Sequence, residues 1–211
     1  MGKVLFVVCF MSLSILVFAQ ELDSNNINQK ERNFDFGVRI GGSASFLSFD
    51  KSGLFEVSEN AKFGGSFGFR LDWKITDYNK IRVEPYYLFQ QFENRFENED
   101  VQILSEFQTH GFGVDVLPIV LQVGGRVKPT LELGGYFNYL FSTSENHQVN
   151  SNFIDFSIEG KDPVQYGILA GFGISVNRKL FVLRVYQPLS DFVSDINQQN
   201  YINRISLIVG L

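Results

Sequence analysis

The chain has 211 residues and a net charge of −5, room for one domain with a full core but not for two ordinary ones once an export signal is subtracted. The negative charge supplies no basic field for a phosphate backbone, which excludes nucleic acid as a partner. Phe (23) and Gly (19) are both abundant, a balance suited to strands that alternate apolar with small or polar residues.

Residues 1–19 read as an export signal: Lys3 is the positive start, Val4 to Phe18 the apolar run, and Val17-Phe18-Ala19 the pattern before a cut ahead of Gln20. The run is short for a spanning helix. Cys9, the only cysteine, lies inside it behind bulky Phe6, Val7 and Val8, a poor setting for lipid attachment. The mature part is therefore expected to use no disulfide, thiol or cysteine-bound metal. Residues 20–32, QELDSNNINQKER, form a polar lead-in, and 33–211 are assigned to a barrel. After Ala19 no stretch approaches the roughly 18 apolar residues of a spanning helix. A membrane could then be entered only as a closed barrel, the one other way to satisfy every backbone group in lipid.

From Asn33 onward period 2 dominates. The first strand sets Phe34, Phe36, Val38, Ile40 and Ala44 against Asp35, Gly37, Arg39, Gly41, Ser43 and Ser45. The second sets Phe63, Phe67, Phe69, Leu71 and Trp73 against Lys62, Gly64, Ser66, Gly68, Arg70 and Asp72. The third sets Ile81, Val83, Pro85, Tyr87 and Phe89 against Arg82, Glu84, Tyr86, Leu88 and Gln90. The fourth, about Ile103 to Val123, begins mixed and turns apolar on both faces from Val116 to Leu121, with Pro118 inside it. Proline there predicts a bulge or a strand end and leaves the register open. The fifth puts Val127, Pro129, Leu131, Leu133, Phe137, Tyr139 and Phe141 opposite Lys128, Thr130, Glu132, Gly134, Tyr136 and Asn138. The sixth runs from Val164 to Val176 and the seventh from Lys179 to Leu189, where Leu180 and Val182 share a face with Arg184. The last opposes Tyr201, Ile205, Leu207, Val209 and Leu211 to Arg204, Ser206 and Gly210.

Eight strands of about ten residues suit a tilted crossing of a bilayer. Their connections alternate: polar segments 48–61, 93–100, 142–162 and 190–200 are long, and the turns near Asp77-Tyr78-Asn79, Gly124-Gly125 and Asn177-Arg178 are short. Short turns inside and long loops outside is the pattern of outer-membrane barrels. The expected fold is all-β, an eight-stranded antiparallel up-and-down transmembrane barrel in the bacterial outer membrane.

Two orientations of the sheet are open. A soluble lipocalin-like ligand-binding barrel would turn the Phe-rich face inward. The other face, however, carries Gly37, Gly41, Gly64, Gly68, Gly134, Gly167, Gly171 and Gly173 together with charges of both signs. Small residues suit a crowded lumen, and opposite charges can pair there but not singly in lipid. The Phe face is assigned to lipid. Arg39, Arg70, Asp72, Arg82, Glu84, Glu132, Arg184 and Arg204 are expected to form a lumen charge network, and Trp73, Tyr87, Tyr139 and Tyr201 an interfacial aromatic girdle. Ser66 is read as a loop-proximal lumen position.

Leu117-Pro118-Ile119-Val120-Leu121, followed by Lys128-Pro129-Thr130-Leu131-Glu132-Leu133-Gly134-Gly135, resembles the centre of the PorT-like outer-membrane β-barrel family. Phe36-Gly37-Val38 with Gly41-Gly42, and Leu183-Arg184-Val185-Tyr186, extend the resemblance over most of the mature chain. Two positions depart from it: the carboxylate before the proline strand is represented only by Asp115, and the last residue is Leu211 where an aromatic is usual. The resemblance implies an eight-stranded outer-membrane barrel without implying one activity.

Small barrels can be lipid-modifying hydrolases, which directs attention to His110 in the fourth strand and His147 in a long polar segment; neither has a recognisable nucleophile or orienting partner in sequence. Glu93, Glu97, Glu99 and Asp100 could gather a cation, but their spacing matches no ion-binding loop and reads as solvated surface. No catalytic residue, cofactor or metal is expected. An eight-stranded interior is just wide enough for side chains to fill, so the lumen charges are read as a plug. The expected role is that of a non-enzymatic barrel acting structurally or through its outer loops. A membrane-embedded lipid hydrolase is the alternative. Outer-membrane lipid, the barrel-assembly machinery and an unidentified surface partner are the expected contacts.

Overall fold

The computed structural model describes residues 33–49, 56–97, 102–150, 152–154, 161–177, 179–193 and 200–211. The export signal and the polar lead-in lie outside them. The strands are β1 (Phe34–Phe49), β2 (Glu56–Lys74), β3 (Asn79–Glu97), β4 (Gln102–Gln122), β5 (Val127–Val149), β6 (Asn152–Ile154), β7 (Val164–Val176), β8 (Lys179–Pro188) and β9 (Asn200–Gly210). Each long strand pairs antiparallel with its neighbours in the chain; β4 bonds to both β3 and β5, and β1 to both β2 and β9. The result is an all-β ring of eight antiparallel strands, with β6 a short addition to the end of β5.

Period 2 fixes which way each side chain points. Phe36, Phe67, Trp73, Phe112, Tyr139, Ile168 and Leu207 are exposed on the outside of the ring, while Arg39, Arg82, Glu84, Asp115, Glu132 and Arg184 are buried inside it. An apolar exterior around a polar interior reverses the order of a soluble barrel, so the lipocalin-like alternative fails. The same polarity is what lipid requires.

Pro118 does mark a bulge. Register slips between Val116 and Ile119 against β5, and between Lys80 and Arg82 where β3 meets that part of β4. The extra residue lets both Leu117 and Val120 face inward, fully buried, against Tyr136, Leu169 and Tyr186. The two-sided apolar run in the sequence thus reflects a locally apolar lumen facing an apolar exterior.

The long polar segments are less loop-like than their composition suggested. β2 starts at Glu56, β3 continues to Glu97, and β5 runs to Val149, so much of 56–61, 93–97 and 142–149 is strand. Beyond the apolar belt both faces of a ladder can be wet, and pairing persists without hydrophobic alternation. The opposite end is tightly turned, with Gly124 (φ 108°) and Asn177 (φ 49°) supplying the left-handed positions.

Candidate functional site: a filled lumen

β1, β3, β4, β5 and β8 each send charged side chains to one level of the interior. Arg39 Nη1 donates to Glu84 Oε2 (2.9 Å) and Asp115 Oδ2 (2.8 Å). Arg184 spans three carboxylates: its Nε donates to Glu132 Oε2 (2.7 Å), its Nη1 to Glu84 Oε2 (2.6 Å) and Asp115 Oδ2 (2.9 Å), and its Nη2 to Glu84 Oε1 (3.0 Å). Arg82 binds Asp72 through Nε at 2.5 Å and Glu132 through Nη1. Arg204 joins through tyrosines, donating to Tyr86 Oη at 3.1 Å and lying 3.6 Å over the Tyr186 ring. Tyr86 Oη sits 2.9 Å from both Asp115 Oδ1 and Asn138 Oδ1, and Tyr186 donates to Asp115 Oδ2 at 2.8 Å.

Of the eight charges assigned to the lumen from sequence, Arg39, Asp72, Arg82, Glu84, Glu132 and Arg184 meet directly, and Arg204 meets them through tyrosine. Arg70 stands apart, 3.6 Å from Asp72 and 3.7 Å from Asp35. Asp115, noted in the sequence only as a departure from a motif, is instead a hub of the cluster. Tyr86, Tyr186 and Asn138 were missed as members, although their inward parity beside Glu84, Arg184 and Tyr136 was a readable signal. Ser66 is no loop-proximal position: its Oγ accepts from Arg39 Nη2 at 3.3 Å.

Toward the long-loop end an apolar layer lies over the charges. Leu47, Phe92, Phe107, Leu140, Phe192, Val193 and Ile202 form one buried cluster, with Phe92 and Phe107 stacked at 5.1 Å and Phe192 edge-on to both. Phe192 and Val193 belong to the polar connection after β8. They are turned inward because Asn200 Oδ1 accepts from both backbone N–H groups, at 3.0 and 2.7 Å.

The two histidines separate. His110 faces outward among Tyr87, Phe89 and Gln108, its Nδ1 2.5 Å from Tyr87 Oη. His147, buried in the β5 extension, has partners the sequence did not disclose: Nδ1 is 2.9 Å from Ser105 Oγ and Nε2 is 3.1 Å from Glu145 Oε2, while Lys161 pairs with Glu145. Serine, imidazole and carboxylate in line can in principle activate a hydroxyl. Ser105 is only 4% exposed, however, and Phe107 packs edge-on against His147. The cavity at the short-turn end and a small one near Phe107 are both lined by other residues. The chain Ser105–His147–Glu145–Lys161 therefore works as a latch between β4, β5 and the segment before β7.

Burial holds the His147 imidazole below its ordinary range. The folded latch resists the proton, so its contribution is complete above the unfolded value near 6.5 and declines as pH falls below it. Limited proteolysis is expected to cut the outer segments faster at pH 5 than at pH 7.5, and His147→Gln should flatten that dependence. Of the acidic run, Glu93 is tied to Lys62 at 2.6 Å and accepts from Asn60; Glu99 and Asp100 lie outside the described residues.

Of the girdle residues, Trp73 is exposed on the lipid side at the short-turn end, and Tyr87 and Tyr139 on the same side farther up. Tyr201, half-buried, pairs with Ser48 above the apolar belt. Tyr166, also exposed outward, has the same character, whereas Tyr78 lies in the turn after β2 and lines the mouth of the lumen.

A closed ring with an apolar exterior, a charge-filled interior and a capped outer end defines a small membrane-spanning barrel. The chain belongs to the outer membrane protein beta-barrel domain family, whose model matches residues 18–194. It is a bacterial outer-membrane β-barrel protein. No curated protein matches it. Among solved structures it is similar to Neisserial surface protein A (15% identity, 85% of this chain and 97% of that one, TM-score 0.44). It is similar also to Ail, the attachment invasion locus protein of Yersinia pestis (12%, 85% and 98%, TM-score 0.41), and to the outer membrane enzyme PagL (14%, 81% and 98%, TM-score 0.31).

Proposed function

We propose that the protein is a non-enzymatic barrel with a structural or surface-interaction role, carried by the strand extensions and loops above the membrane. The supporting observation is the filled interior. Arg39, Arg82, Glu84, Asp115, Glu132 and Arg184 are each at most 1% exposed, and the Phe92–Phe107–Phe192 layer lies over them. Among the described residues such a barrel offers no open conduit, and Ser105, the serine that meets His147, is buried. What it presents to a partner is its outer rim.

Within the family we place it with the PorT-like barrels, on the Leu117–Leu121 and Lys128–Gly135 segments. Export through a cleaved signal at residues 1–19 and insertion by the barrel-assembly machinery complete the proposal. Two measurements test it. Planar-bilayer recordings of the purified chain are expected to show no steady conductance. Mass spectrometry of outer-membrane lipids is expected to give the same acyl profile from cells carrying the wild type, Ser105→Ala or no protein. A Ser105-dependent loss of an acyl chain would establish the hydrolase instead.

A further inference from the structure

Below the charge cluster the lumen opens. A cavity of about 970 Å³ at the short-turn end is lined by Arg70, Lys80, Arg126 and Lys128, with Asp35 and Asp72 among its acidic residues. The cluster above it is balanced internally, four guanidiniums (Arg39, Arg82, Arg184, Arg204) against four carboxylates (Asp72, Glu84, Asp115, Glu132). Lys80 adds a second cation to Asp72, at 2.9 Å. The lysines and arginines of the mouth are therefore in excess.

Arg70 carries the inference. It is 4% exposed, yet among the described residues its guanidinium donates no hydrogen bond, and its Nε is buried without an acceptor. Its two carboxylates stay at 3.6 and 3.7 Å, and Asp35 is half in solvent. Backbone shape holds it there. A Cβ on Gly210 would lie 2.4 Å from Arg70 Nη1, and one on Gly37 would lie 3.1 Å from Nη2. Two glycines, one on the adjoining β1 and one on β9 beyond it, thus make the seat for this side chain. Arg126 and Lys128, from the turn before β5 and its first residues, have no carboxylate partner among the described residues. A guanidinium whose buried Nε has no acceptor has lost hydration at that atom without replacement. An incoming oxyanion would supply acceptors in the forked geometry that arginine favours, in a half-enclosed mouth where cations of several strands focus their field.

We propose that this mouth is a binding site for a small multivalent anion, bearing phosphate or carboxylate groups, that enters from the periplasmic side. Arg70 is the buried anchor; Arg126 and Lys128 are the outer contacts.

Isothermal titration of the chain folded in non-ionic detergent at low ionic strength tests this, with pyrophosphate and citrate as separate probes. Saturable binding of either is expected, and the better probe names the chemistry. Arg70→Gln should weaken it about tenfold or more, and Arg126→Gln with Lys128→Gln by a similar factor. Lys62→Gln, at the opposite end, should leave it unchanged. No saturable binding of either probe overturns the proposal. So does an affinity unchanged, within about twofold, in the double variant. That variant lies outside the charge cluster, so it decides the matter even if Arg70→Gln fails to fold.

Discussion

Glu132→Gln is expected to lower the unfolding free energy of the barrel by about 3 to 5 kcal/mol, the range found when one partner of a buried ion pair is removed. Glu132 accepts from Arg82 Nη1 and from Arg184 Nε. All three side chains are completely buried, so the loss leaves two guanidiniums sharing the carboxylates that remain, with no water to compensate. Replacing Glu132 by Leu together with Arg184 by Met should cost less than the sum of the two single changes, because a charge and its countercharge leave together. Unfolding in detergent gives the energies. Bilayer recording of the same variants gives the companion result: Glu132→Gln is expected to leave the barrel non-conducting. A steady wild-type channel whose selectivity shifts in Glu132→Gln at unchanged stability would show that these charges line a pore.

Phe67→Arg and Ile168→Arg are each expected to cost about 2 to 4 kcal/mol of barrel stability, the penalty for a cation on the lipid face near the midplane. Phe67 is 53% exposed and Ile168 55% exposed, and lipid is the only solvent available to them. The structure changes the appropriate control. Ser66 lies beside Arg39, so Ser66→Arg would force a second guanidinium against the charge cluster. Asn33→Arg, at the exposed mouth, is the neutral comparison. Heat-modifiable mobility and membrane yield should fall for the two lipid-face variants and hold for Asn33→Arg. Equal yields for all three would reverse the assignment of faces.

Much of this architecture was legible because a membrane barrel obeys one rule over its whole length. Alternation in β1, β2, β3 and β5 assigned Arg39, Arg70, Arg82, Glu84 and Glu132 to one face, and the glycines beside them named that face as the lumen. Which carboxylate meets which arginine was not legible. That depends on register across strands distant in sequence, and register shifts at Ala61/Gly65, Lys80/Arg82, His110/Gly111 and Val116/Ile119. Asp115 illustrates the point: one residue of slip would turn it to lipid, and only the pairing of β4 with β3 places it between Arg39 and Arg184. The inward turn of Phe192 and the partners of His147 were hidden for a different reason. Outside the bilayer no period constrains the chain, and side-chain hydrogen bonds such as those of Asn200 decide direction locally.

The ring is closed by the pairing of β1 with β9, from Arg39 against Gly210 to Phe49 against Asn200. This seam joins segments separated by most of the chain, so it belongs to the slowest class of contact to form. Until it forms, β1 and β9 each present an unpaired edge, a template for mispairing with other chains. The ring cannot close before β9 has been made and brought to β1. Time spent unfolded is thus built into the topology, and keeping the chain soluble until closure becomes a requirement on the cell that makes it.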